Sequence, residues 1–465
     1  MSPFDSDPDR RVVLQYYLYR AAANPGFFYP IYILFMVDVN DLSYTAVGLI
    51  GTAQAIVVLT GEVPTGYVGD RIGRRNSLVV AQGLFLVSTG SFLVVTDLVG
   101  FLFTFGTLSL ATTFISGSGQ AWLYDTLAER LDTDEFTRVQ GRGSAASKWS
   151  MAITMIAGGL LYVEDPVYPF VAGLALQSVS FVLVLTLPKN RQYRTGESAD
   201  ADATPADAED GPARSDDDED AAVPESDDDS VETTTSDPPD DETDDREVLT
   251  VFDTLPLIRD QLSKPPLRSF VVFTALYGGL LLTADAYIQP VTLDAIRGSL
   301  DAALASVGVP EPATLGFLYS AFTVVSAVAS DRAEDVESLL GTRTALLAIP
   351  VLIAGLFLVP VVVPVLAFPM FFVMKGGGAV FHPISGQYLN DRLESVGRAT
   401  VLSTVSMLSA LSRIPFAVGS GVVADVFDAR TAVAALGGTF LVCAVVVQVA
   451  GRGVASDARR GTPAD

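Results

Sequence analysis

Continuous apolar runs of about 20 residues or more recur from Val12 almost to the end of the chain, each long enough to cross a hydrocarbon layer about 30 Å thick as a helix. They predict helices over 12–37, 44–68, 77–96, 99–125, 144–163 and 167–187. After a polar break, further helices are predicted over 267–290, 312–329, 342–361, 363–389, 399–423 and 429–450. The runs are apolar all round, whereas membrane barrel strands alternate over about ten residues. The fold class expected is therefore an all-α membrane protein, twelve transmembrane helices in two six-helix bundles.

The break between the sixth and seventh runs has a different chemistry. Residues 197–247 hold 23 Asp or Glu against Arg214 and Arg246, with almost nothing large and apolar, and so account for most of the chain's net charge of −25. Such a stretch buries too little surface to offset chain entropy, and its charges repel one another. It reads as a solvated spacer of the kind that suits a salty cytoplasm, a halophilic-type acidic linker, with docking to a basic partner as the second reading. The organisation expected is an N-terminal tail (1–11), a first bundle (12–190), an acidic, largely disordered linker (191–264), a second bundle (265–451) and a C-terminal tail (452–465).

Lys and Arg fix the expected orientation, because positive charge stays on the cytoplasmic side. Of 29 cations, Arg297 and Arg430 fall on one side, Arg20, Lys375 and Arg413 within helices, and the remainder on the other side. Both termini are expected in the cytoplasm, in a multi-pass protein of the plasma membrane. The polar, acidic first eleven residues do not resemble a cleavable signal, so the first helix is expected to direct insertion. A single cysteine, Cys443, and a single histidine, His382, leave no internal disulfide and no Cys- or His-based metal site. No GxxxxGKS/T loop is present for ATP, and Gly141-x-Gly143-x-x-Ala146, which formally fits a dinucleotide loop, leads into a membrane helix with no strand before it.

Between the second and third helices stands Gly66-Tyr67-Val68-Gly69-Asp70-Arg71-Ile72-Gly73-Arg74-Arg75. Gly66 and Gly69 permit close helix approach, Asp70 can accept from a facing helix N-terminus, and the arginines anchor the loop at the cytoplasmic surface. This run resembles the signature loop of the major facilitator superfamily. Glu62-Val63-Pro64-Thr65-Gly66, Gly117-Ser118-Gly119-Gln120-Ala121-Trp122-Leu123-Tyr124-Asp125 and Gly419-x-Gly421-x-x-Ala424-Asp425 extend the likeness toward its drug-efflux, proton-antiporter branch. Between helices 8 and 9 the chain departs from the pattern, since an acidic insertion separates Asp331-Arg332 from Gly341-Thr342-Arg343. The resemblance implies a gating role for Gly66, Gly69, Asp70, Arg71, Gly73, Arg74 and Arg75. Asp125 is the expected cytoplasmic gate partner.

Charge inside hydrocarbon is costly, so intramembrane ionisable groups are candidates for function. Arg20 and Glu62 both lie about 12 Å deep at 1.5 Å per residue, and Asn24 lies one turn from Arg20. They are read either as a proton or substrate site or as a structural ion pair. Lys375 falls near the midplane of helix 10 with His382 on nearly the same face. Arg413 of helix 11 and Asp285 of helix 7 complete the set, Asp285 being placed toward the outer mouth. Tyr16, Tyr19, Phe27, Phe28, Tyr29 and Tyr32 are read as interfacial or packing aromatics, or as a stacking surface for an apolar solute.

The expectation is thus a secondary transporter rather than an enzyme. It would move a small solute by alternating access, with proton-coupled efflux of an amphipathic or apolar compound as the leading form. Uptake of a sugar or organic anion is the alternative within transport, and a non-transporting sensor of the same fold the alternative outside it. No cofactor, metal or nucleic acid is expected. A proton or sodium gradient is the expected energy source, the bilayer and a small molecule the partners, and a monomer the state. Replacing residues 197–247 by a short flexible segment should leave insertion intact and flux within about twofold, as befits a stretch with no apolar face to pack. Reconstitution of the shortened chain checks this.

Overall fold

A computed structural model describes residues 8–130, 135–190, 265–299, 309–392 and 398–460; the acidic linker lies outside them. Among the described residues the helices form twelve crossings, nine of them long and apolar enough to span a membrane by length and composition alone. The first is α1 (Pro8–Ala22), resumed by a helical turn at Tyr32–Leu34 and a π turn at Phe35–Val39. The first bundle continues with α2 (Tyr44–Ile72), α3 (Arg74–Ser91), α4 (Leu98–Arg130), α5 (Phe136–Glu164) and α6 (Tyr168–Thr186). The second bundle begins with α7 (Pro265–Ala284), which runs through a 3₁₀ turn at Asp285–Tyr287 into the helix Ile288–Ser299. Then come α8 (Glu311–Asp331), α9 (Thr342–Leu356), α10 (Ala367–Asn390), α11 (Arg398–Val426) and α12 (Ala429–Arg460). Val442, Val445, Val446 and Val449 on α12 stay exposed at helical spacing, which suits a face turned to lipid.

The first crossing is broken, for a local reason, and the seventh tightens into a 3₁₀ turn at Asp285–Tyr287. Pro25 has no N–H to donate, so α1 stops before it, and Asn24 takes over the hydrogen bonding of the bend. Its side chain accepts from Gly26 N (2.9 Å) and Thr154 Oγ1 (3.0 Å), and donates to Ala21 O (2.6 Å) and Ser150 Oγ (3.1 Å). Where the first crossing resumes, the free N–H groups of Ile33 and Leu34 donate to Gln289 Oε1 at 2.9 and 3.1 Å, and Gln289 Nε2 donates to Tyr29 O at 3.0 Å. A fully buried amide of one half thus caps a helix of the other.

The loops after α2 and before α9 share one conformational device. Gly73 and Gly341 both adopt positive φ, 90° and 77°, each immediately ahead of the next helix. In the second loop the acidic insertion forms a short helix, Ala333–Leu340, that ends on Gly341.

The two halves meet on the face away from these loops. There α2 packs on α11 and α5 on α8 through glycines that leave no room for a side chain. A Cβ at Gly48 would lie 2.3 Å from Ala417 O, and one at Gly316 2.4 Å from Met155 O. Asp425, near the end of α11, caps the start of α2 by accepting from Tyr44 N (2.7 Å) and Thr45 N (2.9 Å), negative charge on the positive end of a helix. The face distal to the loops is therefore latched shut. Asp425→Ala should raise the distal-open population by about 2- to 5-fold, the effect of a partly exposed charge on a helix end, about 0.5–1 kcal/mol. Distal labelling of a cysteine placed at Val47, in a Cys443→Ala background, measures it.

Candidate functional site

Between the halves lies a cavity of about 630 Å³, extending from Tyr32 and Arg413 toward the Arg-rich loops as far as Arg20, Ile115, Gln177 and Gly378. Its walls are aromatic (Tyr19, Phe28, Tyr29, Tyr32, Phe85, Phe105), with amides from Gln54, Gln82 and Gln177 and charges from Arg20, Asp285, Lys375 and Arg413. The volume and the mix of apolar walls with a few polar groups are those of a site for a small organic molecule.

Asp285 stands at the centre of the polar groups. One carboxylate oxygen pairs with Lys375 Nζ, and the other accepts from Tyr29 Oη at 2.7 Å. The pair is only partly exposed to the cavity, at 25% and 22% of the two side chains. Lys375 and Asp285 come from the second half and Tyr29 from the first, so this cluster, like Gln289, ties the halves together. Arg413 lies against Gly51, with Gln54 Oε1 at 3.5 Å. Arg20 lines the cavity beside Tyr19, and its Nε is buried without a hydrogen-bond partner, as is Nε of Arg413.

Four of the expected residues, Arg20, Asp285, Lys375 and Arg413, thus share one cavity, and three do not line it. Glu62 is exposed on α2, lines no cavity described here, and makes no ion pair with Arg20. Counting residues sets depth, but azimuth decides contact. Glu62 follows the cavity-lining Gln54 by eight positions, which turns it roughly 80° around the helix. Asn24 is buried in the α1 bend, its side chain engaged by Ala21, Gly26, Ser150 and Thr154, and does not line the cavity. His382 lines a side cavity of about 550 Å³ with Lys148, Tyr319 and Ser326, which shares Tyr29 and Lys375 with the central one. Asp285 lies mid-crossing and not at the outer mouth, because the seventh crossing continues to Ser299 instead of stopping near 290. Gln54, Gln82, Gln177 and Lys148 were not singled out from sequence, although an amide within an apolar run is a readable signal.

The α2–α3 loop is built as a rigid unit. A Cβ at Gly69 would lie 2.8 Å from Ser77 Oγ, so α2 and α3 approach closely there. Arg74 pairs with Asp125 of α4 at 2.9 Å, and Arg75 donates to Leu187 O (3.3 Å) and Leu185 O at the end of α6. Arg71 Nη1 reaches Tyr67 Oη at 3.4 Å, and Gly66 faces open space. Asp70 is exposed, with no hydrogen-bond or ion-pair partner among the described residues.

A broken first crossing, a cavity between two six-helix halves and a glycine-arginine loop define a membrane carrier. Residues 21–310, more than half of the chain, match the family model of the Major Facilitator Superfamily, and the chain belongs to that family of transporters. A curated relative, the uncharacterised MFS-type transporter YxaM of Bacillus subtilis (strain 168), is 27% identical over 158 residues, 34% of this chain and 38% of that protein. The chain therefore matches well under half the length of that relative. Among solved structures, a mutant form of the nucleoside transporter NupG superposes with a TM-score of 0.72 at 14% identity, covering 94% of this chain and 99% of NupG. A D-xylose–proton symporter superposes at 0.57 and 11% identity, covering 94% and 95%. At such identities these likenesses show the fold alone.

Asp70→Asn should lower the distal-open population by about 2- to 5-fold, the scale of one charge at a helix end, and leave substrate affinity nearly unchanged, since Asp70 lies outside the cavity. Labelling of a cysteine at Ile115, on the loop side of the cavity, should rise accordingly.

Proposed function

We propose that the chain is a proton-coupled secondary transporter which exports a small amphipathic organic solute by alternating access. The observation that carries this reading is the position of Asp285, the one carboxylate among the described cavity-lining residues, held between an ammonium of its own half and a tyrosine of the other. A carboxylate countered by an ammonium offers a single proton site and too few oxygens to replace the hydration shell of a sodium ion. Protonation of Asp285 removes the charge that holds Lys375 and turns the Tyr29 contact from charge-assisted to neutral, weakening a bond between the halves. Rocking of the halves around a site near the midplane then follows.

Placing the termini and the Arg-rich loops in the cytoplasm, as the cation distribution favours, makes this distal-closed form the one that loads solute from inside. The aromatic walls suit an amphipathic solute. Coupling passes to Asp285 and not to Glu62, which does not reach the cavity.

Proteoliposomes screened with labelled aromatic solutes test the proposal. Asp285→Asn should abolish proton-driven uphill transport while sparing downhill exchange of the same solute, and Glu62→Gln should leave both intact. Full uphill transport by the Asp285→Asn protein removes Asp285 from the coupling step.

A further inference from the structure

The charges of the central cavity do not balance. Asp285 and Lys375 cancel, which leaves the guanidinium groups of Arg20 and Arg413 with no carboxylate within ion-pair distance among the described residues. The adjoining side cavity adds Lys148 and His382 and no acid. Guanidinium does not shed its proton to escape burial, and an uncompensated charge inside a membrane domain is retained at a cost. The Nε atoms of Arg20 and Arg413 are buried without a hydrogen-bond partner, so neither guanidinium has its full set of acceptors within the protein. Arg413 comes from α11 beside Gly51 and Gln54 of α2, at the end where the halves are latched, and Arg20 lies on the loop side with Tyr19 and Gln177. The same cavity presents the rings of Phe28, Tyr29, Tyr32 and Phe105.

From this geometry we infer that the transported solute is an aromatic carboxylate, its anionic group held by Arg413 and Arg20 in turn and its ring by the aromatic wall. The inference rests on the transport reading above and narrows it. A neutral sugar leaves two positive charges uncompensated, and a cationic amphiphile adds a third. An anion supplies the countercharge and the charge-assisted hydrogen bonds that these guanidinium groups lack. Lys375 is not part of the anion site while Asp285 is ionised, since its charge is already spent there.

A charge series on one ring tests this with the purified full-length chain in lipid nanodiscs: 2-naphthoate, the neutral 2-naphthamide and the cationic 2-naphthylmethylamine, measured by calorimetry and, after reconstitution, by flux. The expected result is saturable binding of 2-naphthoate, with the amide and the amine weaker by about tenfold or more, the scale of a lost charge-assisted contact. Arg413→Gln and Arg20→Gln should each weaken 2-naphthoate to a similar degree, while Arg413→Lys restores part of the loss. Equal or tighter binding of the amine, unchanged binding of 2-naphthoate by both glutamine variants, or no binding of 2-naphthoate by a monodisperse, folded chain overturns the inference. Naphthoate binding without flux leaves the anion site standing and sinks the transport reading. Proton-driven flux of the amine without naphthoate binding does the reverse.

Discussion

Hydrocarbon offers no water to a free backbone amide, and the way this chain meets that constraint determines where its cavity can be. The first crossing breaks at Pro25, which frees donors and acceptors in the middle of the membrane domain. Asn24 closes the bend from within the first half, and the amide of Gln289 caps the resumed helix from the second half. Irregular backbone at this depth is tolerated only where protein or a wet cavity satisfies it, and here it has both. The rings that follow the break, Phe28, Tyr29 and Tyr32, are thereby turned toward the cavity and not toward lipid. The 3₁₀ turn in the seventh crossing does the equivalent for Asp285, carrying the carboxylate to Lys375 and Tyr29.

A semi-buried ion pair is weak evidence for stability, since desolvation of the two charges offsets most of their attraction. On the coupling role proposed for Asp285, the Asp285–Lys375 pair is a switchable contact and not a stabilising one. It sits in a cavity wall where water can reach it, and its third member, Tyr29, belongs to the opposite half. Loss of one charge therefore changes an interface between rigid bodies as well as a local bond. Arg74–Asp125 and Arg75 on the end of α6 act differently, because they lie within one half and hold the α2–α3 loop as part of it.

Hydropathy made most of the crossings legible, because a continuous apolar run of the right length has few other uses. The glycine-arginine loop made the family legible. The site was legible only in part. Arg20, Lys375, Asp285 and Arg413 stood out as costly charges, and all four line the cavity. Glu62 stood out for the same reason and does not, since cost and depth carry no information about rotation around a helix axis. Asn24 looked like a ligand because it is polar and deep, yet a proline one residue later is an equally good reason for an asparagine. Asp285 was placed too near the surface because the seventh crossing runs on through the amphipathic stretch to Ser299, where hydropathy alone fades. The second glycine turn, at Gly341, was obscured by the acidic insertion, although the fold keeps its positive φ.

The two ends of the α2–α11 pair show how the latches are related. Gly66-Tyr67-Val68-Gly69-Asp70 closes α2 at the loop face, and Gly421-Val422-Val423-Ala424-Asp425 closes α11 at the distal face, each with an Asp four residues after a glycine and near the end of its helix. One glycine in each run lets a neighbouring helix approach: Gly421 packs on Tyr44 and Thr45, and Gly69 on Ser77, while Gly66 faces open space. Asp425 caps the start of α2, while Asp70 is exposed with no partner among the described residues. Each helix thus ends in a carboxylate on the face where the other begins, α2 at Tyr44 and α11 at Arg398. In a distal-closed form one carboxylate is engaged and the other is idle.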